Sequence, residues 1–232
     1  MFTLFASGQQ ASTWNTRMAA SPSTFLWAWE NPEDLRFVGT RAGVAFLSRT
    51  VILSGDNVAI KPRMQRLLVG PKTRLMAVVR IETDRPKLSP TQRVKVVEAI
   101  LSAAKAKNLE GIQIDFDAKR SEREFYRALL EDVRKKLPES MGLSITALAS
   151  WCMGDNWVEG LPVDEVVPML FRMGAERDII RRDWSGGQCG GALGLSTDEP
   201  AVGRPTAKVY WFHPGPWDKQ AAEKAINRKW SP

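Results

Sequence analysis

Two aspartates, Asp115 and Asp117, stand two residues apart in the stretch Glu110-Gly111-Ile112-Gln113-Ile114-Asp115-Phe116-Asp117. Residues i and i+2 of an extended strand point to one face, so the two carboxyls project together. Carboxylates held close cannot both ionise cheaply; one keeps its proton to higher pH and becomes a general acid near neutrality. The competing expectation is a pair of strand-end carboxylates that cap a turn or pair with Arg or Lys. Burying an aspartate is costly unless it is used, which favours the first reading. Glu82 and Glu199 fall at the ends of other apolar runs and are the candidates for a nucleophile or base. Groups suited to a sugar lie at the same kind of position: Trp27, Glu30, Arg80, Trp151, Arg172, Asp198, Trp211 and His213. Indole faces stack on the apolar face of a sugar ring, while carboxylates and guanidinium groups bond its hydroxyls. For each tryptophan the alternative is ordinary core packing. For Trp27 and Trp29 the two readings balance.

Other chemistries fare worse. His213 is the one histidine, which argues against a Ser-His-Asp triad and a multi-histidine metal site. An all-carboxylate magnesium site stays open, but no cofactor is expected. The loop Ser185-Gly186-Gly187-Gln188-Cys189-Gly190-Gly191 offers backbone amides to a phosphate but lacks a Walker lysine, so a surface turn is the better reading. Cys152 and Cys189 fit neither a zinc pattern nor a CxxC pair. They form either one disulfide in an exported protein or two thiols.

The elements that must position these residues are legible as punctuation. Continuous apolar runs of strand length occur at 24–30, 43–53, 74–82, 111–118, 142–149, 166–173, 193–197 and 208–213. Runs that are continuous rather than alternating mark strands buried on both faces. Between them, Ser89-Pro90-Thr91-Gln92 is a capping box, with Val94, Val97, Leu101 and Ala104 on one face of the helix it opens. Ser121-Glu122-Arg123-Glu124 reads as a second box, before a stripe of Phe125, Leu129, Val133 and Leu137 that Pro138 stops. Asp218 opens a third helix with Ala222, Ile226 and Trp230 on one side. Strand, capped helix and strand is the crossover pattern of a parallel sheet, and eight strands predict an α/β fold, a (β/α)8 TIM-type barrel. Helices are expected to be short or missing after the first, second and seventh strands, and Pro168 interrupts the sixth. The runner-up is an open doubly wound sheet, but no GxGxxG follows the first strand. Residues 1–22 read as a poorly ordered arm and 23–232 as a single barrel domain. In a barrel the functional residues sit at the C-terminal ends of the strands, where these candidates fall.

Length and composition agree. The 232 residues are 44% hydrophobic and 25% charged, a globular mix with no apolar run of the roughly 20 residues a spanning helix needs. The net charge of +7 favours anionic surroundings, yet the basic residues are scattered with no stripe or motif, so nucleic acid is not the expected partner. The compartment is left between export to the periplasm, with the signal absent from this chain, and the cytoplasm. The apolar start Met1–Ala6 has no basic flank and is too short for a signal core. Oligomeric state is not legible.

Glu110 to Asp117 resembles the fourth-strand motif of chitinase-like (family 18) glycoside hydrolases, Asp-Gly-x-Asp-x-Asp-x-Glu. The resemblance makes Asp115 the assisting aspartate and Gly111 the motif glycine. Glu110 and Gln113 replace the first two aspartates, and Asp117 replaces the catalytic glutamate. An acid one methylene shorter is displaced by about 1 Å, which can cost roughly a hundredfold in rate. Longer strings resemble a bacterial family of unknown function, domain of unknown function 3142. They are residues 25–35, 77–82, 113–118, 143–152, 168–174 and 194–200. That resemblance implies a bacterial source, supports export, and supplies no activity. Together these readings make the leading expectation a glycoside hydrolase-like barrel acting on a bacterial or extracellular glycan. Asp117 would be the acid, assisted by Asp115; Glu82, Glu199 or a substrate N-acetyl group would act second. Arg80 and Arg172 suggest an acidic or acylated glycan. Retaining and inverting mechanisms call for carboxyl pairs about 5–5.5 Å and about 6.5–9.5 Å apart. The alternatives are a glycan-binding barrel without catalysis and a metal- or phosphate-dependent barrel enzyme.

Overall fold

The computed structural model describes residues 17–230 apart from 175–176 and 186–188. Most of the arm read at 1–22 and the centre of the glycine loop therefore lie outside the described residues. In chain order the strands are β1 (Thr24–Ala28), β2 (Glu33–Leu35), β3 (Gly43–Gly55), β4 (Asn57–Pro62), β5 (Leu67–Val69) and β6 (Leu75–Pro86). They continue as β7 (Leu109–Asp115), β8 (Gly142–Leu148), β9 (Glu165–Met169), β10 (Ala192–Ser196) and β11 (Lys208–Phe212). The helices are α1 (Pro90–Ala103), α2 (Arg123–Lys136), α3 (Ala149–Cys152), α4 (Arg177–Asp183) and α5 (Lys219–Ile226).

Eight of these strands, β1, β3 and β6 through β11, pair in parallel around a circle that β1 closes by bonding both β3 and β11. The fold is the α/β TIM-type barrel that the eight apolar runs predict. Helices are reduced where the sequence lacks them. After β1 comes the small β2–β5 ribbon, after β3 the antiparallel β4, and after β10 a loop. Pro168 lies in β9, in register with Ala147 of β8, and the contact of β9 with β10 narrows to the single register pair Gly194–Met169.

Capping sets the helix starts. The Gln92 amide donates to Ser89 Oγ at 3.2 Å, and Gln92 Oε1 accepts from the Ser89 amide at 3.1 Å, completing the predicted box. Asp218 accepts from the Ala221 amide at 2.7 Å and opens α5. The second box differs from the expectation: Glu122 accepts from the Lys119 amide at 2.8 Å, and a 3-10 turn at Arg120–Glu122 precedes α2. The cap lies two residues earlier than Ser121 because a tight turn comes first.

The core has two shells. Outside the barrel, Ile112, Ile114 and Phe116 pack with Val96, Ile100, Leu129 and Val133 of the flanking helices. Inside, Phe25, Trp27, Met76, Val78, Val167 and Tyr210 fill the lumen, and Met18 seals its N-terminal end. One lumen layer is polar. Glu165 takes hydrogen bonds from Ser144 Oγ (2.9 Å), Tyr210 OH (2.6 Å) and Lys208 Nζ (3.0 Å). Gln113 links Ser144 (3.1 Å) to the Trp27 indole (2.8 Å).

Cys152 and Cys189 are joined in a disulfide across 37 residues. A loop of that length restrains the unfolded chain enough that Cys189→Ser is expected to cost about 4 kcal/mol in the chain-entropy treatment. Denaturant melts of the oxidised protein and the variant measure it; equal midpoints would show that the bridge contributes nothing.

Candidate functional site

A cleft of about 570 Å³ opens at the C-terminal ends of the barrel strands. Asp115 and Asp117 lie in its wall with Arg80, Trp27, Trp29 and Arg172. The alternation of β7 explains the placement. Gln113 and Asp115 face the lumen, while Ile112, Ile114 and Phe116 face the helices.

Asp115 is buried, and Thr146 donates to its Oδ1 at 2.7 Å. Burial pushes its carboxyl up to about 6; the Thr146 bond opposes this, and the Asp117 charge adds to it. Asp117 is reachable through the cleft, yet the concave walls remove enough water to raise its carboxyl, with Arg80 opposing. The pair therefore holds a proton at a pH where isolated aspartates are ionised. Because its folded pKa lies above the unfolded one, Asp115 contributes stability that is complete below about 4 and lost as pH rises through about 6. Asp115→Asn is thus expected to be more stable than the wild type at pH 7, by about 3 kcal/mol. That advantage should vanish on acidification toward pH 4. Urea titrations at the two pH values test this, and a pH-independent difference would contradict it.

The cleft floor is aromatic. Phe171 and Phe212 stack with centroids 5.2 Å apart, and Trp27 lies 6.0 Å from Phe171. Trp29 sits at the rim, with the Arg80 guanidinium 5.8 Å from its ring. Phe171, Phe212 and Thr146 had no sequence signal beyond lying at strand ends. Only the period of two from Ser144 marks Thr146 as lumen-facing.

Both arginines are already engaged. Arg80 pairs with Glu82 at 2.9 Å. Arg172 pairs with Asp198 at 2.7 Å and with Glu199 through its guanidinium, and its backbone amide also donates to Glu199 at 3.1 Å. Arg172 adopts a φ of 55°, a left-handed conformation that its carboxylate partners hold in place. Glu199 lies also 3.7 Å from Arg181. Glu82, Asp198 and Glu199 are thus tied to the arginines and are not among the residues that line the cleft.

The remaining candidates lie elsewhere. Trp151 is buried beside Trp157 in the shell under α2. Trp211 points out of the barrel onto α5 and stacks on Trp230 at 6.1 Å. His213 bonds Thr197 at 2.6 Å and packs on Trp217, and Glu30 is exposed beyond β1. In strands apolar on both faces, neighbouring positions alternate in and out, so Tyr210 and Phe212 take the inward places and Trp211 the outward one. Among the described residues no group of three or more His, Cys, Asp or Glu is arranged to hold a metal.

Residues 71–170 match the family model of a domain of unknown function, DUF3142. The matched segment runs from just before β6 through β9 and contains Asp115, Asp117, Thr146 and Arg80. The similar strings at 25–35 and 194–200 fall outside it. Among solved structures, the Bacillus cereus spore cortex-lytic enzyme SleL is similar over 81% of this chain and 56% of its own, with a TM-score of 0.50 and 17% identity. The chain spans little more than half the length of that structure, and the likeness is one of fold. No curated protein matches.

Proposed function

We propose that this barrel hydrolyses glycosidic bonds in a bacterial glycan, with Asp117 as general acid and Asp115 as its proton-holding partner. The observation that carries the reading is the pair itself: two carboxyls, both raised by burial, in the wall of an aromatic-floored cleft at the end of the barrel where such folds do chemistry. The likeness of fold to a cortex-lytic enzyme supports it. Asp117 meets solvent and would protonate the leaving oxygen; Asp115, held by Thr146, would take and return the shared proton. Glu82 and Glu199 are poor nucleophiles here because arginines neutralise both. That favours an acyl oxygen of the substrate, attacking the anomeric carbon from within an N-acylated sugar. The neutralised arginines likewise favour an N-acylated glycan over a polyanionic one. The disulfide fits an oxidising compartment and supports export. The chain has, among its described residues, no helix long and apolar enough to cross a membrane.

Reducing-end release from an N-acetylated polymer beside its de-N-acetylated counterpart tests the acyl role. Release from the first and a loss of roughly a hundredfold on the second is expected, as when a group acting in the transition state is removed. Equal rates would overturn it. A non-catalytic glycan-binding barrel is the second reading, favoured by Asp117 standing where the chitinase-like motif carries glutamate.

A further inference from the structure

Strands β3 and β6 do not end at the barrel rim. Their pairing continues from Thr50–Arg80 to Gly55–Pro86, and β4 adds an antiparallel third strand from Asn57 to Pro62. At about 3.3 Å per residue, the sheet rises roughly 17 Å above the last shared row. One face is apolar and covered: Val51, Leu53 and Ile81 pack with Val96, Val97 and Ile100 of α1. The other face is the upward continuation of the lumen side, which the Arg80–Glu82 and Ser54–Asp84 contacts mark as one surface. It carries Thr50, Ile52, Ser54, Glu82 and Asp84, with the two carboxylates exposed.

This protrusion is held rigid at both ends. At its tip, the Gln92 side chain donates to the carbonyls of Gly55 (3.0 Å) and Asn57 (3.2 Å), so the cap of α1 also fixes the hairpin. At its base, the half-buried Arg63 donates to the carbonyls of Ala28 (3.0 Å), Trp29 and Asn31 (2.5 Å) at the end of β1. Arg63 thereby ties the sheet to the backbone that carries Trp29, the rim aromatic facing Arg80.

We infer that this sheet is a second part of the binding site, a wall along which a polymeric glycan extends from the cleft, so that the protein acts on long chains in preference to short oligosaccharides. The inference rests on the glycosidic reading of the cleft. Its support is continuity: Arg80 belongs both to the cleft and to the wall. The half-buried Ser54 hydroxyl and the exposed Glu82 and Asp84 carboxylates on this fixed face are suited to sugar hydroxyls, and fixing them beforehand lowers the ordering cost of binding.

The test compares N-acetylglucosamine oligomers from dimer to hexamer, and soluble glycol chitin, on wild type and on a Ser54→Arg/Asp84→Lys variant. Both changed side chains lie on the open face, and thermal melts confirm that the variant folds. In the wild type kcat/KM should rise with chain length. The variant should lose roughly tenfold on glycol chitin and keep its dimer rate, since remote binding energy is what it lacks. Flat length dependence, or equal loss on dimer and polymer, overturns the wall while leaving the cleft reading intact. If no length is hydrolysed, retardation in a glycol chitin gel decides. Retardation that the variant loses supports the wall without the catalytic reading, and absence of retardation overturns both.

Discussion

Asp117→Asn is expected to reduce polysaccharide hydrolysis by at least a hundredfold, the loss typical of removing a general acid. The amide cannot deliver a proton to the departing oxygen. The side chain is open to the cleft and, among the described residues, takes part in no hydrogen bond that holds the fold, so the variant should fold and melt at least as high as the wild type. An aryl glycoside with an acidic phenol needs little protonation, and on it the variant should keep most of its rate. Parallel loss on both substrates would move the acid role elsewhere. Activity should also fall as pH rises through about 6, because Asp115 then surrenders the proton it holds for Asp117.

The second large effect is structural and lies below the cleft. Lys208 and Glu165 form an ion pair in the lumen with both side chains nine-tenths buried. Tyr210 and Ser144 complete the hydrogen bonds of the carboxylate. Glu165→Ala strands an ammonium in a largely buried site, which typically costs 3–5 kcal/mol, about the scale that separates a folded domain from an unfolded one. The paired change Glu165→Leu/Lys208→Met removes both charges and should recover most of that loss. Denaturant unfolding of the three proteins measures the difference. A double variant as weak as the single one would show that packing, not the orphaned charge, sets the cost.

How much of this was legible in the sequence depended on burial. All eight barrel strands announced themselves because both their faces are covered, which leaves continuous apolar runs such as 43–53 and 208–213. The same continuity hid which residues face the lumen. In Lys208–Phe212 nothing in the sequence separates the inward Tyr210 from the outward Trp211, so a tryptophan read at the mouth lies against α5. In β7 the alternation of Gln113 and Asp115 with Ile112 and Ile114 broke that degeneracy, and there the face was readable. The outer strand of the upper sheet was invisible for the opposite reason. Asn57–Pro62 is exposed along nearly its whole length, and an uncovered strand shows neither an apolar run nor clean alternation. Ion pairing was hidden as well, since Arg172, Asp198 and Glu199 are about 26 residues apart in the chain and meet only where the ends of β9 and β10 adjoin.

The most direct test of the central claim is reducing-end release from N-acetylated bacterial and chitin-type glycans by the unmodified protein, with Asp117→Asn as its partner. New reducing ends from at least one polymer, absent or a hundredfold slower in the variant, are the expected result for an acid at that position. Release that is equal in both proteins, or absent from every glycan, would contradict it.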